Sequence, residues 1–316
     1  MKKGIFSCVL LLLLVVYGTI AYRHYGASDR VPEGGQSDAP PPRAVVAGGG
    51  ADAVRILGIG NSFTVDALNS YLWELAVADD RALVVGSLTI GGATLEEHAD
   101  NADGDLALYQ YDKRNWDGTV VRAGGKRIAD ALADEPWDYL CFQQQSWLAG
   151  QYASYEAYLP VLVAYAKSKS RNPATVYAVL QTWAFAGDYA NADYEYYGSD
   201  QIRMYRSLVD AVERSAALVA PKMMVIPAGT AIQNGRTSEV GDAFCRDGYH
   251  LNAGLGRFTV ACTFYEAIFG DDVTRNPYRP GNMPEHHAKI AKRAAHAAVR
   301  TPNEVTELRE YVPGSD

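Results

Sequence analysis

The feature that most limits how this chain can fold is a series of short, continuously apolar segments separated by helical stretches. Residues 55–59, 83–88, 139–142, 175–180 and 223–226 read as strands. Helices are expected over 67–78, 128–133, 155–169, 201–219 and 253–269. In the last of these, Leu255, Phe258, Cys262, Tyr265 and Phe269 recur at helical spacing, which predicts one buried face. Strands with no polar alternation must be covered on both sides, and strands joined through helices run parallel. The expected fold class is therefore α/β: a three-layer α/β/α, flavodoxin-like doubly wound parallel sheet of about five strands. In such sheets the chemistry gathers at the carboxyl ends of the strands.

The N-terminal end has a different character. Residues 1–21 read as a signal peptide or N-terminal anchor. Met1-Lys2-Lys3 is positive, an unbroken apolar stretch covers 9–16, and Thr19-Ile20-Ala21 resembles a small-residue cleavage site. The apolar stretch is short for a spanning helix, so cleavage is preferred over anchoring. In both cases the rest of the chain is expected to be exported: periplasmic, extracellular, or anchored and facing outward. Membrane contact is expected only through this segment if it is uncleaved. Residues 22–53 are rich in Pro, Gly and Ala and read as a flexible linker. The folded domain is expected over 54–300, with a peripheral helix near 285–299, and 301–316 as a mobile tail.

Charge and cysteines exclude several partners. The net charge is −8 and there is no basic stripe, so nucleic acid is not expected to bind. Beyond residue 21 there are three cysteines, Cys141, Cys245 and Cys262, which is an odd number and no disulfide framework. Cys245 and Cys262 could bridge in an exported protein, but separate thiols are the favoured reading. No CxxC or Cys/His cluster has zinc spacing, and neither a metal nor an organic cofactor is expected.

Two fragments carry chemistry. The first strand runs into Gly58-Ile59-Gly60-Asn61-Ser62-Phe63-Thr64. A serine at a strand-to-helix turn stands at the rim of the sheet, beside amides that suit an oxyanion. It could equally be a plain N-cap. The second fragment is Cys245-Arg246-Asp247-Gly248-Tyr249-His250-Leu251-Asn252. An Asp and a His three apart on a loop can face one point. The imidazole can take a serine proton while the carboxylate fixes its tautomer.

The pair G-N-S-F and D-G-x-H-L resembles the SGNH/GDSL hydrolases, over roughly residues 56–269. The first block usually has Asp before the serine. Here Asn61 stands there, as in a poorly characterised bacterial branch beginning G-N-S-F-[ST]. The resemblance implies Ser62 as nucleophile, with Asp247 and His250 completing the triad. It also implies an oxyanion hole made of the Ser62 amide, a glycine and an asparagine. Gly91 or Gly92 fits the glycine, with Gly91 preferred. The asparagine block departs from the pattern, because this chain has Phe142-Gln143-Gln144-Gln145. Aligning strand ends places Gln143 on the family's glycine and Gln145 on its asparagine, so Gln145 is the expected side-chain donor.

Asn61, Gln143, Trp147 and Trp183 are candidate substrate contacts. The chain holds 21 Tyr, several of them in 189–197, and such rings could stack on sugars. The expected function is a serine esterase acting on a small-molecule or polysaccharide ester, with O-acetyl groups on an extracellular carbohydrate as the leading substrate. The alternatives are a lipase- or thioesterase-like acyl hydrolase, an acyltransferase, and a non-catalytic glycan-binding scaffold.

Overall fold

The computed structural model describes residues 49–311. The expected signal or anchor over 1–21, most of the linker and residues 312–316 lie outside them. A 3-10 turn, Gly49–Asp52, enters β1 (Val54–Gly60). Two short helices, α1 (Ser62–Leu68) and α2 (Leu72–Ala78), lead to β2 (Leu83–Thr89) and α3 (Leu95–Asp103). A hairpin of β3 (Tyr109–Arg114) and β4 (Val120–Lys126) precedes α4 (Ile128–Asp134) and β5 (Tyr139–Phe142). Then come α5 (Ala153–Glu156), α6 (Leu159–Lys169), β6 (Val176–Leu180), α7 (Ala192–Glu195), α8 (Gln201–Ala216) and β7 (Met224–Ile226). Three helices close the chain: α9 (Ala228–Arg236), α10 (Leu255–Phe269) and α11 (Glu285–Arg300).

The strands form one sheet in the order β4-β3-β2-β1-β5-β6-β7. The five expected strands are present and parallel, from β2 through β1, β5 and β6 to β7. The sheet nevertheless has seven strands rather than about five, because β3 and β4 extend it antiparallel beyond β2. β4 lies at the edge with Val120 and Val121 exposed, so its sequence carries no inside–outside alternation. β3 does alternate, with Tyr109, Tyr111 and Lys113 turned inward.

Neighbouring residues of the central strands feed opposite cores. Ile56, Leu83 and Val85 join a core covered by α1, α2, α9, α10 and α11. Leu57, Ile59, Val84 and Leu88 join a core covered by α3, α4 and α6. Burial on both faces is why these strands are apolar throughout. The chain leaves β1 toward β2 on one side and returns to β5 on the other. The switch point therefore falls at the carboxyl end of β1, one residue before Asn61.

Several local expectations need correction. The helix expected over 67–78 is broken: Tyr71 takes φ 66°, and its hydroxyl donates to the Ala253 carbonyl at 2.5 Å. α3 was not expected, although its Thr94/Glu97 capping box was visible as T-x-x-E. α9 was not expected either, since two glycines blur its period. The helix expected to be peripheral, α11, buries Ala288, Ile290, Ala291, Ala294, Ala295 and Ala298 and packs on α10 and α9. Small alanines let these helices approach closely, and an alanine-rich stretch reads as weakly hydrophobic in sequence. Residues 49–53, read as linker, belong to the domain, because Ala53 is buried. Residues 301–311, read as tail, are docked. Leu308 is buried, its amide donates to Thr237 Oγ1 at 2.9 Å, and the Glu239 amide donates to the Tyr311 carbonyl at 2.8 Å. Cys141, Cys245 and Cys262 are free thiols. Among the described residues no helix is long and apolar enough to cross a membrane.

Candidate active site

Gly60 ends β1 opposite Thr89 of β2, and Ile59 lies opposite Phe142 of β5. The segments after β1, β2 and β5 therefore leave the sheet at one level. The Ile90 amide donates to the Gly60 carbonyl at 3.2 Å and the Gln143 amide to the Ile59 carbonyl at 3.1 Å. Gly60 has to be glycine, since a Cβ there would fall within 2.3 Å of Thr64 Oγ1 and 2.4 Å of Gln143 Oε1.

Asn61 is the N-cap of α1, and Ser62 is the first helical residue rather than the cap. Asn61 Oδ1 accepts the Phe63 amide at 3.0 Å. Asn61 Nδ2 donates to the Ala93 carbonyl at 2.9 Å, which ties the serine turn to the glycine loop. The Asn61 amide donates to Gln143 Oε1 at 2.9 Å. Asn61 is 2% exposed and Gln143 1%, so neither side chain is open to a substrate. Both brace the turn instead.

The distant fragment arrives on a closed loop. Cys245 and Leu251 form a bridge, and the Arg246 amide donates to the His250 carbonyl at 2.9 Å. At the tip, Asp247 Oδ1 accepts the His250 amide at 2.8 Å and the Tyr249 amide at 3.2 Å. Gly248 takes φ +93°, and a Cβ there would strike the Tyr189 ring at 2.2 Å. The loop points His250 at Ser62. Nε2 lies 2.8 Å from Ser62 Oγ, and Nδ1 lies 2.7 Å from Asp247 Oδ2. These partners assign the tautomer: Nδ1–H donates to the carboxylate, and Nε2 accepts from the serine hydroxyl. Burial alone would raise the Asp247 carboxyl. The His250 ring and the amides of His250 and Tyr249 outweigh it and hold the carboxyl below its usual range.

The ring contacts beneath this loop come from a residue that the sequence suggested for substrate. Trp183 is fully buried and lies flat on Phe63, with centroids 4.5 Å apart and planes at 5°. Its Nε1 donates to the Tyr249 carbonyl at 2.6 Å. Trp183 is thus a floor under the Asp247–His250 loop and presents no face to a ligand. Of the tyrosines in 189–197, Tyr194 and Tyr197 are core residues, while Tyr196 is exposed. Trp147 remains half-buried, its amide donating to Gln145 Oε1 at 3.0 Å.

The three glutamines divide their work. Gln143 uses its whole side chain: Oε1 accepts from Asn61 and Thr64, and Nε2 donates to the Gln144 carbonyl. Gln144 Oε1 accepts the amides of Leu95 and Gln145. Gln145 caps its own turn with Oε1, accepting from Trp147 and Leu148. Its Nε2 has no hydrogen bond among the described residues, and neither do the amides of Ser62 and Gly91. Gly91 is exposed, with nothing within 4 Å of its Cβ position.

Sequence reading missed Asp66. It is 1% exposed and takes the Leu251 amide at 2.8 Å, Arg246 Nη1 at 3.2 Å and Arg257 Nη2 at 2.6 Å. Asp66 lies just before the helix expected over 67–78, and its partners come from the far end of the chain, so no local signal marks it. One group elsewhere has ligand-like geometry. His296 Nδ1 lies 2.8 Å from Glu266 Oε1 and 3.3 Å from Asp272 Oδ1, and these contacts tie α11 to α10 and to the loop after α10.

The family described as "Domain of unknown function (DUF4886)" matches residues 55–298. The crystal structure of a DUF4886 family protein from Bacteroides uniformis is similar, with 44% identity and a TM-score of 0.80, over 82% of this chain and 100% of that one. An acetylxylan esterase from Geobacillus stearothermophilus aligns with 13% identity and a TM-score of 0.45, over 68% of this chain and 94% of that one. Phospholipase A1 from Streptomyces albidoflavus aligns with 13% identity and a TM-score of 0.37, over 69% and 99%. No curated protein matches the chain.

Proposed function

The chain belongs to the DUF4886 family, and from that premise and the geometry of its site we propose that it is a serine esterase of the SGNH type. One observation carries the reading. Ser62 Oγ, His250 Nε2, His250 Nδ1 and Asp247 Oδ2 form a continuous relay with spacings of 2.8 and 2.7 Å, although the serine and the histidine are 188 positions apart. His250 takes the Ser62 proton as the oxygen attacks an ester carbonyl, and Asp247 stabilises the imidazolium. The uncommitted donors of the Ser62 amide, the Gly91 amide and Gln145 Nε2 hold the developing oxyanion. The imidazolium returns the proton to the leaving alcohol, and water resolves the acyl-enzyme by the same route.

The substrate we favour is an O-acetylated carbohydrate outside the cell. What supports this is the openness of the rim: Gly91 and Gly92 are exposed, and the Asp247 side chain is 40% exposed. Such a rim admits an ester carried on a bulky polar chain. Of the two tryptophans proposed for sugar contact, Trp147 keeps that role and Trp183 does not.

The test is labelling with a fluorophosphonate, run beside nitrophenyl esters of graded chain length and acetylated polysaccharides. Wild type should be labelled at Ser62 and should prefer short acyl groups. Ser62→Ala should stay folded, resist the label and lose several orders of magnitude in kcat. A folded wild type inert to the phosphonate and to every ester would overturn the esterase reading.

A further inference from the structure

We propose that Asp66 is a positioning residue that sets the register between the nucleophile and its base. This rests on the esterase reading above. Asp66 lies one helical turn after Ser62 on α1, so the two side chains share a face. Its carboxylate is 1% exposed, yet it reaches 185 positions along the chain to the Leu251 amide, the residue after His250. The same carboxylate takes Arg246 Nη1, one residue before Asp247, and Arg257 Nη2 from α10. Arg246 Nη1 also donates to the Leu251 carbonyl at 2.5 Å.

Polar contacts therefore join the serine helix to the histidine loop at two separate places, beside the packing of Phe63 on Tyr249 and His250. One junction is the reactive hydrogen bond from Ser62 to His250. The other is the Asp66 clamp at the base of the loop. Trp183 Nε1 and the Ala186 amide hold the loop's Tyr249 and Gly248 carbonyls to the segment after β6, and the Asp66 clamp fixes the loop to α1 itself. With Leu251 N and Arg246 fixed to Asp66, His250 Nε2 has one position relative to Ser62 Oγ. A carboxylate suits this role because it offers several acceptor sites to three donors at once. Burying it is tolerable because two guanidinium groups neutralise it.

The expected signature is a loss in kcat with KM held, because the clamp touches no substrate. Displacements of about 1 Å between reacting groups can cost on the order of a hundredfold in rate. Asp66→Asn keeps the shape but sets an amide NH₂ against donors. It should lower kcat by about ten- to a hundredfold and slow phosphonate labelling of Ser62 in parallel, with KM within about twofold. Arg246→Gln leaves Asp66 paired with Arg257 and should show a smaller loss, about three- to tenfold, with the same split. If Asp66→Asn fails to fold, Arg246→Gln decides; because Arg246 Nε also lies 3.9 Å from Asp247 Oδ2, its kcat must fall with the pH profile of kcat unmoved, and a shifted profile would assign the loss to Asp247 and overturn the clamp. An active wild type whose folded variants keep kcat within about twofold, or change only in KM or melting temperature, would overturn the clamp while sparing the esterase reading. An inert wild type would overturn both.

Discussion

The side-chain amide of Asn61 donates to the Ala93 carbonyl at 2.9 Å, and so binds the serine turn to the glycine loop that offers the Gly91 amide. This bond needs a donor, which the amide of Asn61 supplies and a carboxylate would not. Asn61→Asp would set a carboxylate oxygen against a carbonyl and leave Ala93 without its partner. A loss of about 1–3 kcal/mol in urea unfolding is expected. kcat should fall as well, because the glycine loop is released. An Asn61→Asp protein as stable and active as wild type would remove this role.

The glutamines should separate cleanly. Gln145→Ala removes a donor with no other commitment among the described residues. It should reduce kcat by about 10²–10³ with little change in KM, and loss of the Oε1 cap on the Trp147 and Leu148 amides should lower the melting temperature modestly. Gln143→Ala strips the Asn61 amide and Thr64 of their acceptor. It should act first on stability, by about 1–3 kcal/mol. Steady-state kinetics beside calorimetry on both variants would check this, and the reverse pattern would exchange their assignments.

Trp183 makes the same distinction between floor and ligand face. Trp183→Phe loses the Nε1 bond to the Tyr249 carbonyl and part of the stack on Phe63. Its melting temperature should drop, while KM for an acetylated oligosaccharide stays within about twofold. A large rise in KM with stability intact would mean that the ring meets substrate after all.

His98 sets an acid limit on stability. It is fully buried on α3, and its Nδ1 shares a hydrogen bond with the Tyr109 hydroxyl at 2.8 Å. Burial pushes its pKa from 6.5 down to about 4, with the Gly60 carbonyl opposing. Between these values the unfolded chain holds the proton and the folded one does not. The stability contribution is therefore fully present above pH 6.5 and is lost as pH falls toward 4. The full effect is on the order of 3 kcal/mol. Unfolding measured across this range should show the slope in wild type and a flatter one in His98→Gln. Equal slopes would assign the acid sensitivity to other groups.

The sequence by itself determined the parallel core and singled out Ser62, Asp247 and His250 as the residues to bring together. Strands buried on both faces must be apolar throughout, and that is visible residue by residue. Ser62, Asp247 and His250 were legible because each sits in a short motif whose local geometry, a strand end or an Asp-Gly turn, is set by its neighbours. Only the tertiary structure decided what depends on distant partners. Trp183 and Trp147 look alike in sequence. One is sealed beneath the His250 loop and the other is half-open, because burial is a property of the packed layers. Gln143 and Gln145 are two positions apart and chemically identical. Asn61 and Thr64, at the start of α1, and the Gln144 carbonyl consume the first side chain, while the second spends only its Oε1 on its own turn. Asp66 reads as an ordinary carboxylate until Arg246, Leu251 and Arg257 arrive from the far end of the chain. Edge strand β4 and the alanine-rich α11 were obscure for the same reason: their place is set by what they pack against.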